Sequence, residues 1–196
     1  PISDIWSIKA IDLVSKNIVR AYRNPNDLEA RSNMILASSM AGIGFGNAGV
    51  HLCHGMSYPV SGMVKNFIPH GLTSDHPIIP HGLSVILNAP AVFKFTGEAC
   101  PERHLKVAKI MGAKINNIKD PKNEAGLILS NEIIKLMKDL EVPNGLSAIG
   151  FNKNDIPNLI KGTLPQHRVT KLSPRSANAE DLNKLFNDSM TLWWKT

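Results

Sequence analysis

The stretch GIGFGNAGVHLCHGMSYP, residues 42–59, joins a run of small residues to two histidines. Residues 44–49 match the G-x-G-x-x-G pattern of dinucleotide-binding loops. That pattern binds a pyrophosphate only where a strand turns into a helix, whereas the preceding residues 28–40 have a helical pattern. The acidic residue expected on a second strand is also missing. Close packing between helices therefore explains these glycines better than a phosphate site does.

Around this stretch, nearly every segment with a clear period has the helical one. The first helix is predicted from its apolar residues at spacings of three and four, with Ser3 or Asp4 as its cap and its end before Pro25. Further helical runs are predicted over residues 28–40, 47–64, 83–95 with a kink at Pro90, 101–111, 124–140, 156–160 and 180–193. Residues 65–80 read as a loop because they are rich in proline and glycine. The sequence predicts one all-α domain over residues 1–196, without a sheet.

Composition narrows the classes of protein to which the chain can belong. Its 196 residues are 43% hydrophobic, which suits a globular domain with a core, and no apolar run reaches the length of a membrane span. Two cysteines are too few for a disulfide framework. The net charge of +6 comes from scattered residues without a dense basic block, so a nucleic-acid partner is not expected. The chain starts at Pro1 rather than at Met, and we expect either that it begins inside a longer protein or that it was processed.

The histidines are the candidate metal ligands. Five of the seven lie within residues 51–81, beside glycine and proline turns. His81 follows Pro80 at a predicted helix start, where the helix dipole favours the neutral form that binds metals. His54 is expected midway along a helix. No H-E-x-x-H or C-x-x-C pattern completes a site. The residues alone thus leave open whether this is a metal site lacking two or three ligands or a set of ordinary histidines.

The motifs H-G-M-S-Y-P at residues 54–59 and P-H-G at residues 80–82, together with the glycine run before them, resemble the signature of the iron-containing (group III) alcohol dehydrogenases. The S-Y-P triplet, the D-H-P at residues 75–77 and the 27-residue separation of His54 from His81 resemble most closely the branch of mitochondrial hydroxyacid–oxoacid transhydrogenases. The resemblance covers essentially the whole chain. It favours His81 over His70, which lies in a second P-H-G triplet, because the residues that follow His81 fit the family better.

The resemblance implies the helical C-terminal domain of the dehydroquinate synthase-like fold, with the α/β nucleotide-binding domain and two metal ligands, an Asp and a His, upstream of Pro1. His54 and His81 would be the other two ligands of a divalent metal, with Fe²⁺ expected and Zn²⁺ as the alternative. Tyr58 and Phe45 would lie near the site. The implied reaction uses bound NAD(H) to convert 4-hydroxybutyrate and 2-oxoglutarate into succinic semialdehyde and 2-hydroxyglutarate, in the mitochondrion. Expected partners are small carboxylates and, as an option, further copies of the chain.

Two alternatives for the role of the chain remain open. The chain alone is expected to be incomplete and inactive as an enzyme, so it could instead serve as a truncated helical module that acts only in protein interaction. Such a module would bind neither metal nor NAD. In either case the isolated chain is expected to expose an apolar face that favours self-association. The positions of the cofactor-binding residues are not predicted, because most of them would lie in the missing domain.

Overall fold

The helical periodicity of the sequence is realised as ten α-helices within residues 1–194, the part of the chain that the computed structural model describes. They are α1 (Ile2–Arg23), α2 (Leu28–Ala48), α3 (Leu52–Gly62), α4 (His81–Ile86), α5 (Ala89–Thr96), α6 (Pro101–Met111), α7 (Pro121–Asp139), α8 (Ile156–Thr163), α9 (His167–Thr170) and α10 (Ala179–Met190). Three short 3-10 turns accompany them, and no strand occurs in this range, which confirms the all-α fold class. Lys195 and Thr196, the last residues of the predicted domain, lie outside the described residues.

Local sequence signals explain where several helices begin. The side chain of Asp27 accepts a hydrogen bond from the Ala30 amide at 3.0 Å and caps α2. Asn178 and Asp181 form a reciprocal capping box at the start of α10. Proline occupies the first turns of α5, α6, α7 and α8, where its missing N–H costs nothing. None of the helices in the described range is long and apolar enough to cross a membrane.

The first two helices form an antiparallel hairpin, and α2 is longer than predicted. Instead of ending near Met40, it continues through the glycine run to Ala48. Gly44 is buried against α1, where a Cβ atom would collide with the Ser7 side chain. This contact confirms close helix–helix packing as the role of Gly44, and it shows why a residue of low helix propensity is tolerated there.

The core lies between α3, α5, α7, α8 and α10. Its fully buried side chains include Leu52, Met56, Leu87, Met137, Leu159, Leu182 and Phe186. Helix α5 crosses α7 at Gly126, where an added Cβ would lie 2.6 Å from the Lys94 carbonyl oxygen and 2.9 Å from that of Phe93. The absence of a side chain at residue 126 therefore sets how closely these helices approach.

Several predicted boundaries were wrong. Residues 83–95 form parts of two helices rather than one kinked helix, and Pro90 lies in the first turn of the second. No helix was predicted between the runs 156–160 and 180–193, but the short helix α9 lies there and packs on Gly55 through Thr170. Helix α10 ends at Met190, and Trp193 packs against the core just beyond it. The first helix begins directly after Pro1, so Asp4 lies in its first turn instead of capping it.

Candidate functional site

A tight turn between α2 and α3 positions His54. Gly49 ends α2 with a φ of 76°, a conformation that favours glycine. His51 then acts as the N-cap residue, and α3 begins at Leu52. The continuous helix predicted from residue 47 to residue 64 is therefore interrupted. As a result, His54 lies in the first turn of α3 rather than midway along a helix.

His81 is the first residue of α4, as the proline before it predicted. The loop that connects α3 to α4 returns the chain so that the two histidine rings face each other. Their centroids are 5.2 Å apart and their planes are inclined at 55°. His54 is partly buried, whereas His81 is exposed. The structure thus brings together the two side chains that the resemblance assigns as metal ligands.

Two buried serines hold the backbone at both histidines in the same way. Ser57 donates its hydroxyl hydrogen bond to the carbonyl of His54 at 2.8 Å, and Ser84 donates to the carbonyl of His81 at 2.7 Å. Both serine side chains are fully buried. Each histidine is therefore carried on a first helical turn that is fixed by an extra hydrogen bond three residues later.

The surroundings of His54 favour its neutral form. Burial lowers the pKa of His54 below the ordinary histidine value, and the nearby His81 lowers it further. A neutral imidazole has a lone pair available for a divalent ion. Within residues 1–194, no group of three or more His, Cys, Asp or Glu side chains is arranged to hold a metal ion. The pair can therefore supply part of a ligand set.

The two near-site candidates lie on α3 and on the end of α2. Tyr58 is partly buried on α3, one turn after His54 and on the same face. Phe45 lies on the last turn of α2 and is 54% exposed. It borders an apolar cavity of about 390 Å³ between the α1–α2 hairpin and helices α6 and α7. Their roles near the reacting groups stay predictions.

The other histidines divide into two groups. His70, His76 and His167 are exposed on the surface. His51 and His104, in contrast, both make edge contacts with the ring of Phe93, at centroid distances of 5.8 and 5.7 Å. Sequence reasoning included both in the histidine set but did not connect them, because no local spacing indicates a contact through a third residue. Together they border a second cavity, which shares Ile11, Phe93, Val107 and Leu129 with the lining of the one beside Phe45.

Comparisons with known proteins give the chain's relationships. The model of the "Fe-containing alcohol dehydrogenase family, C-terminal" matches residues 1–190. The bovine protein named "Hydroxyacid-oxoacid transhydrogenase, mitochondrial" is 58% identical over 98% of this chain. A Dictyostelium discoideum protein named "Probable hydroxyacid-oxoacid transhydrogenase, mitochondrial" is 59% identical over 98% of it. This chain spans 41% of the bovine protein's length and 35% of the Dictyostelium protein's length.

Solved structures resemble the described helices closely. An alcohol dehydrogenase from Oenococcus oeni superposes with a TM-score of 0.84 and 26% identity, and a 1,3-propanediol oxidoreductase with 0.83 and 25%. Each match covers 96% of this chain and 45% of the solved one. The helical domain therefore corresponds to a little under half of those proteins.

Proposed function

The chain belongs to the Fe-containing alcohol dehydrogenase family, of which it represents the C-terminal part, and we propose that it is the helical half of a metal-dependent hydroxyacid–oxoacid transhydrogenase. The observation that carries this proposal is the pairing of the His54 and His81 rings, 5.2 Å apart, at the starts of two helices. The names of the bovine and Dictyostelium relatives support both the activity and a mitochondrial location.

The histidine pair fits a divalent ion as half of a ligand set. Imidazole nitrogens suit Fe²⁺, which we propose as the bound ion, and also Zn²⁺ as the alternative. Burial lowers the pKa of His54, which favours its neutral form, and Ser57 and Ser84 donate hydrogen bonds to the backbone that carries the two rings. The remaining Asp and His ligands are assigned by resemblance to sequence upstream of this chain. When bound, the ion supplies Lewis acidity that favours the alkoxide form of a substrate hydroxyl.

The proposed overall reaction oxidises 4-hydroxybutyrate to succinic semialdehyde and reduces 2-oxoglutarate to 2-hydroxyglutarate. Two hydrogen atoms leave one substrate and are gained by the other, so the reaction needs no external oxidant or reductant. By resemblance, the upstream nucleotide-binding half would hold NAD(H), which would supply the hydride-transfer chemistry. Both substrates are carboxylates, and the net charge of +6 favours their approach.

Metal analysis of histidine variants tests this assignment. In a longer protein that joins this chain to an upstream half like that of its relatives, we expect one divalent ion per chain by elemental analysis. Changing both His54→Ala and His81→Ala should remove that ion together with the transhydrogenase activity. The matched control is the double variant His70→Ala and His76→Ala, at two exposed positions, which should retain both the ion and the activity. Full metal occupancy in the first double variant would contradict the assignment.

The alternative is an inactive helical module that acts in protein interaction. It is favoured by one observation, namely that the described residues supply no complete metal site of their own. If such a module is the entire gene product, immunoblots of cell extracts should show a single species near 21.4 kDa, and the purified protein should bind neither metal nor NAD(H). Detection of a longer product with transhydrogenase activity would exclude this alternative.

A further inference from the structure

A cavity of about 500 Å³ adjoins the turn that carries His54. It lies between the starts of α3 and α6, helix α5 and the segment that follows α9. Its polar lining is formed by His51, Cys100, Arg103 and His104. Phe93, Val107, Leu129 and Leu172 contribute apolar surface. Clefts of this volume are typical of small-molecule sites.

The lining has a positive bias. Among the residues that border the cavity there is no aspartate or glutamate, and Arg103 carries a permanent positive charge. Two helices of 11 residues also begin at its wall, since His51 is the N-cap residue of α3 and Cys100 is that of α6. The first amides of a helix have no partner within it and bear a partial positive charge; in α3 these come before the His54 amide, which donates to the His51 carbonyl, and in α6 they come after Pro101, which has no N–H. An anion is therefore the ligand class that this lining favours.

Arg103 forms a two-point ion pair with Asp4 at the cavity rim. Its Nη1 and Nη2 atoms donate to the two carboxylate oxygens of Asp4, at 2.8 and 3.1 Å. A guanidinium has five N–H groups, so three remain available for another acceptor. The Arg103 side chain is 67% exposed, which leaves it accessible to a ligand. Asp4 thus anchors the arginine without using its full donor capacity.

His51 connects this cavity to the histidine pair. The carbonyl of His51 accepts a hydrogen bond from the His54 amide at 2.8 Å, so both residues belong to the same first turn. We propose that the cavity is the subsite that binds the substrate carboxylate, with Arg103 as its anchoring cation. This inference rests on the proposed function, because it assigns a role in substrate binding to a cavity beside the candidate metal ligands.

Binding to the 196-residue chain tests the subsite without metal or cofactor. We expect 4-hydroxybutyrate to shift the NMR amide signals of Gly49, His51 and Cys100. Arg103→Gln should weaken the affinity of the chain for 4-hydroxybutyrate by a factor of about 10 or more, as expected for loss of a charged hydrogen bond. Arg103→Lys should restore part of that affinity. The neutral analogue 1,4-butanediol should be insensitive to either change. Unchanged affinity for 4-hydroxybutyrate in Arg103→Gln, or equal weakening for the diol, would overturn the proposal.

Two variants test whether the charge of Arg103, rather than its ion pair with Asp4, is responsible for binding. Asp4→Asn removes the ion pair but keeps the cation, so its affinity for 4-hydroxybutyrate should stay within about threefold of that of the unmodified chain. Arg23→Gln removes an exposed arginine at the end of α1, where it pairs with Asp139 of α7, and it should leave the affinity unchanged. A loss in Asp4→Asn as large as that in Arg103→Gln would show that the ion pair, and not the free cation, determines binding.

Kinetics of the longer protein distinguish this inference from the proposed function. With transhydrogenase activity present, Arg103→Gln should raise KM for both 4-hydroxybutyrate and 2-oxoglutarate and leave the metal content unchanged. If the enzyme is active but Arg103→Gln leaves both KM values unchanged, the subsite proposal is overturned and the proposed function stands. If the longer protein lacks the activity while binding to the chain still depends on Arg103, the proposed function fails and the anion site stands.

Discussion

At the scale of single residues, burial controls the protonation of three histidines. The pKa values of His51, His54 and His104 are all lowered, and burial is the largest cause for each. On acidification the unfolded chain therefore binds protons more readily than the folded chain. We expect the histidine contribution to the free energy of unfolding to be complete above pH ~6.5, the ordinary histidine pKa. It should be lost as the pH falls through the lowered values of the folded state.

Urea denaturation of the metal-free chain at several pH values measures this dependence. The midpoint should fall on acidification from neutral pH, and His104→Asn should reduce the fall because that side chain is buried. Gly42→Ala serves as the control, since it neither adds nor removes a titratable group and should shift the midpoint equally at each pH. A midpoint that rises on acidification over this range would contradict the lowered pKa values.

The contact between His54 and His81 shows what the sequence can predict at this scale. The two are 27 residues apart, a separation without any fixed geometry, and the residues alone could not distinguish His81 from His70. The contact arises because the loop between α3 and α4 returns, which is a property of tertiary packing. Family resemblance identified the pair, because the metal-ligand motifs of a family already reflect how its members pack. No comparable signal existed for Arg103, whose position depends on Asp4, 99 residues earlier.

At the scale of helices, the crossing of α5 and α7 depends on Gly126. A Cβ there would lie 2.6 Å from the carbonyl oxygen of Lys94, and backbone atoms cannot move aside as the end of a flexible side chain can. We expect Gly126→Ala to destabilise the chain by about 1–3 kcal/mol, because this overpacking outweighs the better helix propensity of alanine. The shift in the urea midpoint measures the effect.

Gly42 provides the matched control for that change. It also lies inside a long helix, but an added Cβ would meet no atom within 4 Å. Gly42→Ala should therefore stabilise the chain by about 0.5–1 kcal/mol, the propensity gain alone. If both alanine variants were stabilised equally, the close approach of α5 and α7 would not limit their packing.

The positions of the helices were largely predictable from the sequence. The accuracy of each predicted end depended on the kind of local signal that marks it. Helix α6 was predicted with its bounds intact, because Pro101 marks its start and Gly112 takes the left-handed conformation after its end. Helix α2 was predicted to stop too early, because the apolar periodicity was followed only to Met40 and glycine has a low helix propensity. Packing of Gly44 against Ser7 overrides that local preference. Information about such contacts is not contained in the periodicity of one segment.

At the scale of the whole molecule, burial is distributed unevenly. Most large buried side chains lie in the body formed by α3 to α10, while the α1–α2 hairpin carries many of the exposed large apolar ones. On α2, Leu28 and Ile35 are 74% and 70% exposed. Their spacing of seven residues places them on one stripe of the helix. Exposed apolar surface of this kind promotes association.

We therefore predict that the isolated chain self-associates through the outer face of α2. Replacing Leu28→Glu and Ile35→Glu together should shift sedimentation velocity profiles toward the monomer, and the helical circular dichroism should stay unchanged because neither side chain contributes to the core. Arg31→Glu is the matched control, since it lowers the net charge by the same two units on the same helix but removes no apolar surface. If the control dissociated the chain as effectively, charge rather than apolar contact would drive the association. A chain that is monomeric before any substitution would show that this stripe alone is too small to hold two copies together.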